Sequence, residues 1–139
     1  MKVYQSIQDI KPIKCPVVTL GMFDGAHIGH QSILEQLNTI AQNIDGESVL
    51  ITFNPHPRMV LQSNCDLKFL TTLQEKEEIL RRFDLEHLII QEFTLDFSQV
   101  TSVEFVKNLL IDKIKINTLV IGYDHHFGKN REGNFEQLQ

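Results

Sequence analysis

Two histidines three residues apart, His27 and His30, stand in a run of small and polar residues, GMFDGAHIGHQ, from Gly21 to Gln31. An apolar run precedes this stretch and a helical pattern follows it. At the start of a helix, rings three apart lean toward one point. The free N–H groups and the dipole of a first turn favour an anion there. Gly25 and Gly29 permit unusual backbone angles and close ligand approach. Two imidazoles over a helix N-terminus make a phosphate cradle. This is neither a P-loop nor a dinucleotide fingerprint, because G-x-x-x-x-G-K-[ST] and G-x-G-x-x-G are both absent. No Ser-His-Asp or Cys-His arrangement is suggested either.

Two further polar clusters follow apolar runs. NPHPR carries Asn54, Pro55, His56 and Pro57, and GYDHHFGKNR carries Asp124, His125, His126, Phe127, Lys129 and Arg131. Plainer roles stay open for several of them. Asn54-Pro55 also fits a simple turn, Lys129 and Arg131 also fit solvated charges, and Gly21 and Gly25 also fit turns. A zinc set from His56, Cys65, His125 and His126 is a competing reading, but the adjacent histidine pair lacks a structural zinc spacing. His87 reads as a surface or strand-edge residue.

The elements that must position these residues alternate. Strands are expected in CPVVTLGMF, ESVLITF, HLIIQEF and NTLVIGY. Helices are expected in HQSILEQLNTIAQNI, TTLQEKEEILRRF and TSVEFVKNLLIDKI. In the first helix Ile33, Leu34, Leu37, Ile40, Ala41 and Ile44 fall three or four apart and share a face. Thr72 with Glu75, and Thr101 with Glu104, have the spacing of capping boxes. ESVLITF is a continuous apolar run, suited to a parallel strand covered on both faces. The order predicts an α/β fold: a Rossmann-like parallel sheet of about four to five strands with helices on both faces. Ligands of such sheets sit beyond the carboxyl ends of the strands. The tails GMFDGAHIGH, NPHPR, FTLDFS and GYDHHFGKNR would then converge on one edge.

Composition narrows the classes. The 139 residues suggest one domain, and 42% of them are hydrophobic, enough for a core. A net charge of −5 with no basic block argues against a nucleic-acid binder. No apolar run approaches the ~18 residues of a membrane span, and the start lacks the apolar core of a signal peptide. Cys15 and Cys65 have no C-x-x-C spacing and read as reduced thiols of a cytoplasmic protein.

FDGAHIGH resembles the H-x-G-H signature of the nucleotidyltransferase superfamily. Together GMFDGAHIGHQ, TFNPHPR and GYDHHFGKNREGN resemble the adenylyltransferase module of bacterial FAD synthetases, over nearly the whole chain from about Val17 to Asn134. The resemblance implies that ATP and FMN give FAD and pyrophosphate with Mg²⁺, by direct in-line attack and without a covalent enzyme intermediate. His27 and His30 would hold the ATP phosphates and stabilise charge on the leaving pyrophosphate. Gly21, Phe23, Asp24, Gly25 and Gly29 would form the nucleotide side, with Asp24 shaping the turn. Asn54, His56, Pro57, Phe127, Lys129 and Arg131 would serve the flavin or the phosphates. Asp124 would orient ribose, acceptor phosphate or hydrated Mg²⁺. The partners implied are small-molecule substrates and a riboflavin kinase domain in a longer parent chain.

Two departures from the family pattern stand out. His125 replaces the usual Phe, and the S-S-T-x-I-R-like segment is absent from these residues. Residues 1–139 are thus expected to be a nucleotidyltransferase domain shortened at its C-terminal end, without the riboflavin kinase barrel. The alternatives are a nucleotide- or flavin-binding domain without turnover, or an H-x-G-H transferase with another acceptor.

Overall fold

Three apolar runs, buried on both sides, form the centre of the sheet. They are β2 (Pro16–Leu20), β3 (Glu47–Asn54) and β4 (His87–Glu92), flanked by β1 (Lys2–Tyr4) and β5 (Thr118–Val120). The computed structural model describes residues 1–22, 28–55 and 73–121, and the backbone alone at 28–30. Its helices are α1 (Ile28–Asn43), α2 (Leu73–Arg82), α3 (Leu95–Ser98) and α4 (Ser102–Glu104). The last runs on as a π-helix, Phe105–Ile114, and a 3₁₀ turn spans Ile7–Asp9.

The strands lie in the order β1-β4-β3-β2-β5, and every neighbouring pair is parallel. Two steps, β2 to β3 and β3 to β4, cross the sheet in one direction. The steps β1 to β2 and β4 to β5 cross in the other. Crossovers of one hand then put their connecting segments on opposite faces. The two halves of the core follow that rule. On one face Leu34, Leu37 and Ala41 of α1 and Leu80 of α2 pack with Val17, Leu50, Leu88 and Ile90. On the other, Ile7 and Phe105, Leu110 and Ile114 pack with Val18, Val49, Ile51 and Ile89. The expected parallel sheet with helices on both faces is therefore observed.

Some details differ from the sequence reading. β1 was not expected; it is three residues long and pairs with β4 from Lys2 opposite His87 to Tyr4 opposite Ile89. FTLDFS is not merely a polar tail, because Thr94 caps α3 by accepting from the Phe97 N–H at 3.0 Å. The Thr101–Glu104 capping box forms in both directions, each hydrogen bond 3.2 Å long. Thr72 lies outside the described residues.

The helices end on left-handed residues that are not glycine: Asp45 after α1, Asp84 after α2 and Lys115 after the π-helix. Behind Asp45, Gly46 donates its N–H back to Ala41 O at 2.8 Å, and Asp45 donates to Gln42 O at 3.3 Å. This is the Schellman pattern, which satisfies two of the orphan carbonyls of α1. Gly46 is fixed here by closeness. A Cβ at this position would run into the backbone carbonyl of Cys15, itself left-handed at φ 40°.

At the amino edge of the sheet, His87 is 3% exposed, and so is neither a surface nor a strand-edge residue as expected from sequence. It opens β4, which β1 covers on its outer side. Its Nε2 faces Glu47 Oε2 at 2.6 Å, and its Nδ1 lies 3.3 Å from the Tyr4 hydroxyl. The Tyr4 and His87 rings stack with centroids 5.9 Å apart. Both ring nitrogens are thus engaged, which offsets the cost of burying the imidazole.

The His87 hydrogen bond holds the Glu47 carboxyl below the usual carboxylate range; partial burial opposes this, and the Lys14 N–H and the Lys2 charge assist it. A carboxyl depressed in the folded state adds stability that is present above its unfolded pKa. That contribution is lost as pH falls through the lowered folded value.

Two outcomes are expected. Gly46→Ala should cost about 1–3 kcal/mol in denaturant unfolding, because the added methyl has no room against backbone. Glu47→Gln should lower the melting temperature at neutral pH. It should also flatten the acid limb of the melting temperature against pH, since the group that titrates below the ordinary glutamate value is gone.

Candidate functional site

Parallel pairing sends the chain out of β2, β3, β4 and β5 at one edge of the sheet. β3 and β5 flank β2 on opposite sides, so successive crossovers diverge from β2. A crevice beyond the carboxyl ends at such a switch point is where open α/β sheets hold ligands. The tail of β2 is the H-x-G-H stretch, and the tail of β5 is the Asp124 cluster. Topology thus brings two of the sequence-predicted clusters to the same crevice, with the tail of β3 one strand over.

Gly21 continues the ladder past β2, donating its N–H to Ile51 O at 3.1 Å. Gly29 and His30 lie in the opening turn of α1, which begins at Ile28. That first turn carries no acidic residue. Its positive dipole end is therefore not neutralised from within the helix, the electrostatic condition an anion needs. Phe23, Asp24, Gly25 and His27 lie outside the described residues. Asn54 ends β3, is exposed, and accepts the Phe93 N–H on its carbonyl at 3.1 Å. Pro55 follows through a cis peptide bond. Beyond it, His56 and Pro57 are outside the described residues, as are Asp124, Phe127, Lys129 and Arg131. So are Cys65, His125 and His126 of the zinc reading.

Sequence reasoning missed an aromatic cluster at this edge. Phe53 near the end of β3, Phe93 just beyond β4 and Phe97 on α3 have ring centroids 5.7–5.9 Å apart. Phe97 also meets Phe105 edge-on at 6.3 Å. The spacing of Phe93 and Phe97 was the available signal: four residues apart, they share a face once α3 forms.

Glu47, Glu86 and His87 bring metal-ligand atoms within 4.8 Å of one another. They lie at the amino edge, opposite the crevice, and line an open cavity of about 390 Å³ with Lys2 and Arg81. The two cations oppose the carboxylates, and both nitrogens of His87 are already engaged. The group reads as an ion-pair network of the fold.

A family model described as FAD synthetase matches residues 10–139. The bifunctional riboflavin kinase/FMN adenylyltransferase of Buchnera aphidicola subsp. Schizaphis graminum is 35% identical over 140 residues, covering all of this chain and 45% of that protein. An FAD synthetase of Listeria monocytogenes is 38% identical over 133 residues, covering 93% of this chain and 52% of its own length. The chain thus spans about half the length of these relatives. It covers 74% of a putative bifunctional riboflavin kinase/FMN adenylyltransferase of Geobacillus thermodenitrificans, at 32% identity. A crystal structure from Streptococcus pneumoniae, described as a macrolide-efflux protein, superposes with a TM-score of 0.86 at 29% identity, over 98% of this chain and 52% of the other. Among the described residues no helix is long and apolar enough to cross a membrane. With the matched model running from residue 10 to the last residue given, the chain belongs to the FAD synthetase family.

Proposed function

We propose that this chain is an FMN adenylyltransferase module, transferring AMP from ATP to FMN to give FAD and pyrophosphate. The observation that carries this reading is the H-x-G-H segment at the join of β2 and α1, on the switch-point edge, in a chain of this family. An oxygen of the FMN phosphate attacks the α-phosphorus of ATP in line. The new P–O bond forms as the bond to the β-phosphate bridging oxygen breaks, and pyrophosphate leaves with that electron pair. No enzyme nucleophile is needed, so the protein's work is positioning and charge stabilisation.

His27 and His30 would donate to the triphosphate, and the opening turn of α1 would add its free N–H groups. Gly21, Phe23, Asp24, Gly25 and Gly29 would let the nucleotide lie against backbone. Asn54, His56, Pro57 and Phe127 would meet the flavin side, with Lys129 and Arg131 on phosphate. The half-buried cluster of Phe53, Phe93 and Phe97 supports an acceptor with a ring system at the same edge.

Mg²⁺ suits a site of hard oxygen donors shared with substrate phosphates. The described end of the β3–β4 pair, where Asn54 and Glu92 are exposed register partners, offers donors of that kind. Asn54, Glu92 and Asp124 are the residues that would hold it. When bound, the ion would neutralise charge on the phosphates. The reading places the chain in the cytoplasm, as the adenylyltransferase part of a longer parent chain with a riboflavin kinase domain.

The test follows FAD by chromatography from the purified chain with ATP, FMN and Mg²⁺. His27→Ala/His30→Ala should lower the rate by about 100-fold or more while the fold survives. Binding of ATP or FMN without any FAD would favour a binding domain without turnover. Faster transfer to another phosphate acceptor would replace FMN in the reading.

A further inference from the structure

Thr52 is fully buried, and its hydroxyl has no hydrogen-bond partner among the described residues. Buried hydroxyls are almost always paired, so this one calls for a reason. Packing does not provide it, because valine has nearly the same shape and brings no polar atom. Elsewhere on the same strand face the rule is kept: Ser48 Oγ accepts the Glu86 N–H at 3.1 Å.

The place of Thr52 in the fold is specific. Side chains alternate along β3, and Leu50 shares the core cluster of Leu34, Leu37 and Ala41 from α1. Thr52 is the next residue on that face toward the carboxyl edge. Its neighbour Ile51 pairs with Leu20 and accepts the Gly21 N–H, so Thr52 is level with the end of β2. α1 enters from that edge and runs back along the sheet. On its buried stripe of Leu34, Leu37 and Ala41, the position one turn earlier is residue 30. The unpaired hydroxyl therefore sits on the strand face that the opening turn of α1 covers.

We propose that Thr52 is a positioning residue of the nucleotide site: its hydroxyl hydrogen-bonds the His30 imidazole and selects the ring nitrogen that meets the triphosphate. The inference rests on the nucleotide-site reading above. A hydroxyl suits the task because it both donates and accepts, so it serves the neutral and the protonated ring. One ring nitrogen bonded to Thr52 leaves the other as the N–H aimed at phosphate, the orienting logic that holds catalytic and metal-bound histidines.

The test compares Thr52→Val with Thr52→Ser in the 139-residue chain. Histidine ring ¹⁵N spectra, assigned with single-histidine variants, give a readout independent of FAD formation. In Thr52→Val the His30 ring signals should move while those of His87 stay, and Thr52→Ser should keep the wild-type pattern. Thr52→Val should melt no lower than wild type, yet its kcat for FAD should fall about ten- to a hundredfold, as for a misplaced group. The KM for FMN should stay within about twofold, and serine should restore kcat. His30 signals unmoved in Thr52→Val would overturn the proposal, leaving an unpaired hydroxyl with no role. If the wild-type chain forms no FAD, the proposed function fails while the ring spectra still decide for or against Thr52. Should Thr52→Val fail to fold, Thr52→Ser against Thr52→Ala isolates the same hydroxyl at smaller volume.

Discussion

A parallel sheet cannot be closed by tight turns, because each strand must be re-entered from its starting end. Every connection here crosses over the sheet, and one hand of crossover assigns each connecting segment a face. α1 and α2 share one face because β2, β3 and β4 are laid down in a single direction. Ile7 and the π-helix share the other because the chain reaches β2 from β1, and β5 from β4, by returning the opposite way. The core is split in two by that rule, and the crevice beside β2 is a by-product of it. The candidate chemistry sits where the crossovers diverge, since this is the one edge position left uncovered between two helical layers.

Much of that frame is legible in the residues. Continuous apolar runs such as Val49 to Thr52 leave little choice but a strand buried on both sides. Leu34, Leu37 and Ala41 announce a helix face by spacing alone, and Thr101 with Glu104 announces its own cap. The H-x-G-H segment is legible too, since its residue types and its place at a strand–helix join both suit an anion. What escapes is whatever depends on partners far along the chain. Residues Lys2 to Tyr4 are too few to display alternation, and become a strand because β4 offers an unpaired edge. His87 looks exposable until Tyr4 and Glu47, from two other strands, engage its nitrogens. The hydroxyl of Thr52 is invisible as a feature in sequence; only the folded packing reveals that nothing described answers it.

The two edges of the sheet divide the polar residues by purpose. At the amino edge, Glu47, His87 and Tyr4 satisfy one another, and their charges and hydrogen bonds close locally. At the carboxyl edge Asn54 is exposed, the first turn of α1 lacks acidic residues, and Thr52 is unanswered. Groups whose hydrogen bonds are complete make a scaffold, whereas groups left incomplete on rigid elements are ready for something to arrive. The contrast locates a binding edge on energetic grounds, independently of any motif.

The brevity of the outer strands has a consequence for the molecule among its own copies. An open sheet ends in rows of unpaired amides and carbonyls, a template for adding strands from other chains. Here the strand at one end, β1, pairs over only three residues and opens on Lys2, and β5 at the other is described over three as well. The long, apolar β3 lies two strands in from either end. Short borders with a charge on one of them offer little length for a foreign strand to register against. The sheet thus keeps its most adhesive segment in the interior and remains an open architecture without inviting fibrous growth.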